Sequence, residues 1–128
     1  MSMIAERDNV VVWFEIPVAE FERAATFYET IFDVKLNRET FGGPTMGVFP
    51  YDRPKVSGCI MDAPERAGRD NGTVIYINCT GHLDAVVGRV EKAGGKLLTP
   101  RIDLPPGMGC YFHIRDSEGN RVGLHAVS

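Results

Sequence analysis

The stretch VVWFEIPVAEFERAATFYETIF, Val11 to Phe32, predicts the first strand and helix of the fold. Mostly β-branched and aromatic residues from Asn9 to Ile16 indicate a buried strand, and Pro17 is expected to end it because proline lacks an N–H for the ladder. From Glu20 to Phe32, apolar residues at three- and four-residue spacing predict a helix lying on a sheet. Glu15 interrupts the apolar strand, so its carboxylate is expected to be paired, protonated or bound.

The same order of elements occurs twice along the chain. Further strands are predicted near residues 35–40, 46–49 and 56–61, and a polar, turn-rich linker follows. A second strand–helix–strands series begins with a predicted strand at Thr73–Cys79 and repeats the first at an offset of about 60 to 65 residues, with glycines stopping its helix. The pattern predicts an α+β fold of two tandem βαβββ modules whose curled mixed sheets surround a central cavity. The single domain 1–128 comprises module one (about 9–61), a linker (62–72) and module two (about 73–127).

Composition excludes several classes of function. The net charge is −3 and the basic residues are scattered, so neither a nucleic-acid partner nor a membrane surface is expected. The amino terminus lacks a signal-like pattern and no apolar run could span a membrane, which predicts a cytoplasmic protein. The three cysteines, Cys59, Cys79 and Cys110, are far apart, which favours small buried side chains over disulfides or a zinc site.

Three stretches resemble one known family. VAEFERAATFYE (Val18 to Glu29) resembles the first strand–helix junction of the vicinal oxygen chelate superfamily, which includes glyoxalase I, extradiol dioxygenases, and fosfomycin and bleomycin resistance proteins. VEKAGGK (Val90 to Lys96) is similar to the end of its second helix. RDSEGNRVGL (Arg115 to Leu124) is similar to its closing hairpin. The resemblance implies the paired βαβββ fold, and a homodimer is expected.

The metal site of this family is expected to be missing. Its metal enzymes hold a divalent ion with four side chains, and the resemblance places these on Trp13, on Gly58 or Cys59, on Val74 or Ile75, and on Gly123. Indole, glycine and alkyl groups do not bind such ions, and one thiolate would not suffice. We therefore predict no cofactor, with a divalent metal possible only at a displaced site.

Polar side chains are expected next to these positions. Glu15 is two residues beyond Trp13 and His125 is two beyond Gly123, so each pair shares a strand face. The resemblance implies that they point into the cavity. The predicted ligand-binding residues are Trp13, Glu15, Val74, Tyr76, Asn78, Gly123 and His125, with Trp13 as a possible stacking floor.

Three interpretations of Glu15 and His125 remain open. They form a buried structural pair, they recognise a ligand, or they are catalytic as a general base and its partner. In a metal version of the last, His113 would complete a two-histidine, one-carboxylate triad suited to iron or zinc, although a half-exposed strand histidine is the simpler interpretation. His82 is expected to cap the second helix or to be exposed, and Arg101–Tyr111 to form a loop over the cavity mouth as a rigid turn or a lid.

The leading functional prediction is a metal-free small-molecule binding protein whose compact, partly aromatic ligand lies between the modules. The alternative is a glyoxalase-type lyase or isomerase, or a dioxygenase, using a displaced metal or Glu15 as general base. A third class, a protein-interaction or regulatory domain, would show a filled interior and an exposed apolar patch.

Overall fold

The structure is a computed structural model that describes residues 9, 11, 13–40, 43–69 and 71–127. The elements of module one are β1 (Trp13–Val18), α1 (Phe21–Phe32), β2 (Asn37–Glu39), β3 (Met46–Val48) and β4 (Ser57–Asp62). A short 3₁₀ helix at Pro64–Arg66 follows. The elements of module two are β5 (Tyr76–Asn78), α2 (Leu83–Val90), β6 (Lys96–Leu97), β7 (Ile102–Asp103), β8 (Cys110–Arg115) and β9 (Arg121–Ala126).

The strands form two mixed sheets. Sheet A has the order β1-β4-β3-β2, and sheet B has the order β5-β9-β8-β6 with β7 beside β8. In each sheet the first strand is an edge strand and runs parallel to the last strand of its module. This confirms the predicted α+β class, and the two sheets are consistent with tandem modules. Strand β7 was not predicted; it lies within the segment that was expected to be a loop.

One apolar core joins the two modules. Sheet A contributes Ile16, Val18 and Ile60, sheet B contributes Ile114, Val122 and Leu124, and both helices belong to the same cluster. The helices also meet at their ends, where the Arg89 guanidinium donates two hydrogen bonds to the Ile31 carbonyl, at 3.0 and 2.7 Å. Each sheet therefore has an inner face in the core and an outer face directed away from it. Within the described residues, neither helix is long and apolar enough to cross a membrane.

Two local expectations for the first strand are wrong. Pro17 does not end the strand, since β1 continues to Val18. Because β1 is an edge strand, the missing proline N–H leaves no gap between paired strands. Glu15 is exposed on the outer face, so it is not a buried carboxylate within this chain. Positions 10 and 12 of the predicted strand lie outside the described residues.

Glu118, a buried carboxylate in the β8–β9 turn, links module two to the start of α1 by hydrogen bonds. Glu118 accepts hydrogen bonds from the backbone N–H groups of Ala19 and Glu20, at 3.0 and 2.8 Å, and from the Arg23 guanidinium. Burial alone would raise the pKa of Glu118, but the hydrogen bonds from Arg23, Glu20 and Ser117 outweigh it and lower the pKa to about 2. The charged form of Glu118 is thus the one that stabilises the fold.

Asp116, in the same turn, reaches into the core of module one. Its Oδ2 accepts a hydrogen bond of 2.6 Å from the hydroxyl of Tyr28, which is fully buried on α1. Burial raises the pKa of Asp116, and hydrogen bonds from Tyr28 and Asn120 offset only part of that effect. The Asn120 amide in turn donates to the Pro17 carbonyl at 2.8 Å. The turn therefore connects β1 and α1 through groups about a hundred residues away in sequence.

Candidate functional site

The metal-ligand positions of module one do not form a donor set. Strand pairing places Trp13 beside Ser57 and Glu15 beside Cys59, whereas Gly58 lies beside Phe14 on the inner face. Of the two candidate positions on β4, only Cys59 therefore shares the outer face with Trp13. Burial, together with the Glu15 charge, raises the pKa of the Cys59 thiol to about 11 although the Trp13 side chain hydrogen bonds to it. A thiolate at neutral pH is disfavoured there.

In module two an aromatic ring fills the corresponding place. Tyr76 on β5 is the strand neighbour of Gly123 on β9, so Tyr76, rather than Val74 or Ile75, lies beside that position. Any side chain at position 123 would overlap the Tyr76 ring. The residues at the family's metal positions therefore do not fit a divalent ion. Across the described part of the chain, no three His, Cys, Asp or Glu side chains meet in a group that could hold one.

The outer face of sheet B carries a chain of hydrogen bonds between three side chains. The Tyr76 hydroxyl lies 2.7 Å from His113 Nε2, and Arg121 Nη1 lies 2.9 Å from His113 Nδ1. Tyr111 packs edge-on against Tyr76 and tilted against His113. Burial and the Arg121 charge lower the pKa of His113, which favours the neutral imidazole. We call Tyr76, Tyr111, His113 and Arg121 the tyrosine–histidine cluster.

His125 and Glu15 lie on different sheets. His125 is the neighbour of both Asn78 and Tyr111, and its Nε2 lies 2.9 Å from the Met108 carbonyl, to which it donates. The segment Arg101–Tyr111 therefore touches the outer face of sheet B. Glu15 is on the outer face of sheet A, and the triad of Glu15, His113 and His125 is not assembled among the residues that the structure describes.

A cleft of about 960 Å³ opens between the first strands of the two modules. Its walls are mainly apolar, and they include Phe14, Phe32, Val34, Phe49, Ile75 and Ile77. Polar side chains of Ser57, Asn78 and His82 are interspersed, and His82 is exposed at the start of α2 without a capping hydrogen bond. Of the seven residues predicted to bind a ligand, three line this cleft, and the other four lie on the outer faces of the sheets without lining it. The three are Val74, Tyr76 and Asn78; the four are Trp13, Glu15, Gly123 and His125.

Sequence reasoning missed two members of the tyrosine–histidine cluster, Tyr111 and Arg121. The spacing of these residues did carry a signal. Tyr111 and His113 are two residues apart on β8, and Arg121 and Gly123 are two residues apart on β9, so each pair lies on one face of its strand. A hairpin with its turn at 116–120 pairs the two strands side by side and puts both pairs of residues on the same face of the sheet. The contact from β5 had no comparable signal, since 37 positions separate Tyr76 from His113.

Comparison with known proteins assigns the family. The profile of the glyoxalase/bleomycin resistance protein/dioxygenase superfamily matches residues 10–124. A glyoxylase-like domain-containing protein of Didymella fabae is 32% identical over an alignment 125 residues long, which covers 88% of this chain and 88% of that protein. Two solved structures share the fold. A glyoxalase/bleomycin resistance protein from Albidiferax ferrireducens T118 has a TM-score of 0.68 at 16% identity, covering 92% of this chain and 99% of the other. Fosfomycin resistance protein FosX from Listeria monocytogenes has a TM-score of 0.67 at 16% identity, covering 93% and 91%. The chain belongs to the glyoxalase/bleomycin resistance protein/dioxygenase superfamily.

Proposed function

We propose that this protein binds a small, partly aromatic organic molecule in the cleft, without the help of a metal ion. The cleft itself is the observation that carries the proposal. Its volume of about 960 Å³ falls within the range of small-molecule sites, roughly 300–1,000 Å³. Its walls combine the aromatic rings of Phe14, Phe32 and Phe49 with a few polar groups, which is the usual composition of such sites.

The side chains at the family's metal positions support the metal-free part of the proposal. Trp13 and Gly123 offer no lone pair to a divalent ion, and the Tyr76 ring occupies the space over Gly123. A glyoxalase-type lyase or isomerase, or a dioxygenase with a displaced metal, would need Glu15 close to His113 and His125. The position of Glu15 on the other sheet disfavours that alternative for a single chain.

A homodimer is part of the same proposal. On the outer faces Glu15 and Tyr76 are exposed, with Tyr76 at 51%, and Trp13 is half-buried. A second copy of the chain could cover these faces and remove their aromatic rings from water. Light scattering coupled to size-exclusion chromatography is expected to give twice the chain mass of 14.1 kDa. A 14.1 kDa species that persists as concentration rises would contradict the dimer. The cytoplasmic location stays a prediction.

Filling the cleft tests the binding proposal. Val56 lines the cleft and is 40% exposed, so Val56→Trp adds an indole to the cleft with little risk to folding. Val127 is 56% exposed and lies outside the cleft lining, so Val127→Trp is the matched control. Small aromatic fragments are screened against each protein by saturation-transfer NMR.

The wild type and Val127→Trp are expected to bind the same fragments, whereas Val56→Trp is expected to bind them at least about tenfold more weakly. Two outcomes would overturn the proposal. In one, the wild type binds no fragment. In the other, Val56→Trp binds as well as the wild type.

A further inference from the structure

The residues that line the cleft share one electrostatic property. Among those that the structure describes, none is an aspartate, glutamate, lysine or arginine. The polar residues on the walls carry amide, hydroxyl, thiol or imidazole groups. The described charged residues that adjoin the lining in the sequence are exposed and lie outside it; they are Glu15, Asp33, Lys35 and Lys55. A ligand in the cleft therefore meets neither a carboxylate nor an ammonium or guanidinium group on these walls.

The thiol on the cleft wall also resists becoming charged. Cys79 is buried, and burial raises the pKa of its thiol to about 11, although a hydrogen bond with the His125 backbone opposes the rise. A thiolate is therefore disfavoured at neutral pH. The buried part of the cleft thus disfavours a charge on one of its own side chains.

The apolar surface of the cleft comes from both modules. In module one, Phe49 packs against Phe14 and Phe32, with ring centroids 5.9 and 6.0 Å apart. Module two contributes Ile75 and Ile77, which are half-buried against the core. A flat ring bound between the modules would contact phenylalanine rings on one side and isoleucine side chains on the other. Both faces of such a ring would then leave water, which favours its binding.

We infer that the cleft selects uncharged aromatic compounds over charged compounds of similar size. This inference rests on the proposed small-molecule binding in the cleft, and it adds the ligand class: a ring whose substituents are neutral hydrogen-bonding groups such as a hydroxyl, carbonyl or amide. An ion that enters the cleft gives up part of its hydration, and the walls offer no opposite charge in return. A neutral polar group loses less on leaving water, and one hydrogen bond compensates it.

The predicted discrimination differs from an effect of the protein's overall charge. The net charge of −3 attracts cations and repels anions. Loss of hydration without a countercharge disfavours both. Benzyl alcohol, benzoate and benzylammonium separate the two effects, because each carries one benzene ring and their substituents are neutral, negative and positive.

The dissociation constants of these three probes are measured by NMR titration of the full-length wild type. The titrations are made at pH 8, where imidazole side chains are mostly neutral and both ionic probes keep their charges. Val56→Lys places a cation on the cleft lining, at a residue that is 40% exposed. Val56→Met is the control for side-chain length. Val127→Lys adds the same charge at an exposed position outside the lining.

The wild type is expected to bind benzyl alcohol at least about tenfold more tightly than either ion. Relative to Val56→Met, Val56→Lys should bind benzoate about threefold more tightly and benzylammonium more weakly. Val127→Lys should keep the wild-type constants.

Two results would overturn the inference and leave the proposed binding function intact. In one, the wild type binds benzoate or benzylammonium as tightly as benzyl alcohol. In the other, Val127→Lys tightens benzoate binding as much as Val56→Lys does. Failure of all three probes to bind the wild type would contradict both proposals.

Discussion

The ring of Tyr76 covers Gly123 on the neighbouring strand, and Gly123 stands where the family resemblance puts one of the four metal-binding side chains. A residue with any side chain at position 123 would displace the ring. Displacing the ring would also pull the Tyr76 hydroxyl away from His113. The presence of tyrosine on one strand and the absence of a side chain on the other are therefore coupled features.

That coupling is measurable as an interaction free energy between the two positions. Gly123→Ala is expected to lower the free energy of unfolding by about 1 kcal/mol in the wild type, because the new Cβ breaks the Tyr76–His113 hydrogen bond. In a Tyr76→Ala background the same change should be neutral or stabilising, because glycine is unfavourable within a strand. Urea denaturation of the four proteins gives the coupling. An equal effect of Gly123→Ala in both backgrounds would show that the ring does not occupy this space.

Glu118 is expected to contribute strongly to stability. Glu118→Gln removes a charged acceptor from two backbone N–H groups and from Arg23, so the unfolding free energy should decrease by about 2 kcal/mol. Asp103→Asn is the control. Asp103 also pairs with an arginine, but its side chain is 77% exposed, so its loss should change stability by less than about 0.5 kcal/mol. If both variants lose a similar amount of unfolding free energy, burial does not explain the larger contribution expected of Glu118.

The contribution of Glu118 also depends on pH. Its pKa is about 2 in the folded protein against an ordinary value of 4.5, so the folded state favours the charged form. This stabilisation is complete above 4.5 and is lost as pH falls toward 2. The difference in unfolding free energy between wild type and Glu118→Gln should therefore shrink across that window. The pKa of Asp116 is raised, so its contribution to stability changes with pH in the opposite direction. Asp116 is present in both proteins, and its contribution therefore cancels in the difference. If the difference in unfolding free energy stays constant with pH, the pKa of Glu118 is not lowered in the folded protein.

Tyr28 gives a third test, within the core. Tyr28→Phe keeps the buried ring but removes the hydrogen bond to Asp116, so we expect a loss of about 1 kcal/mol or more in unfolding free energy. Tyr51→Phe, at an exposed tyrosine, should have almost no effect. Because burial, together with the charge of Asp116, raises the pKa of Tyr28, the folded protein should also lose stability as pH rises above 10. Thermal denaturation of both variants checks the first expectation, and equal melting temperatures would refute it.

The architecture was largely predictable because helix periodicity and turn residues are local patterns in the sequence. The helix periodicity at Glu20–Phe32 agrees with α1, and the turn after Asp116 agrees with the β8–β9 hairpin. Strand lengths were predicted less well, since β5 covers only Tyr76–Asn78 of a predicted seven-residue strand. The short strand at Ile102–Asp103 was missed because its proline- and glycine-rich surroundings indicate a loop.

The site was less predictable because its contacts are long-range. Alternation along a strand correctly placed Glu15 on the face of Trp13, but no sequence rule shows that this face lies outside the core of the chain. The pairing of Tyr76 with Gly123, and its hydrogen bond to His113, depend on strand register across sheet B. Likewise, the sequence DSEGN predicts the turn of a hairpin, but nothing in it predicts that the Glu118 carboxylate hydrogen bonds to the start of α1.

The central claim, ligand binding without a metal ion, is tested most directly by titrating aromatic fragments into chelator-treated protein and following the binding by NMR. The account predicts saturable binding with the same dissociation constants before and after chelation, and no change when divalent ions are added back. Binding that disappears on chelation and returns with a divalent ion would contradict it.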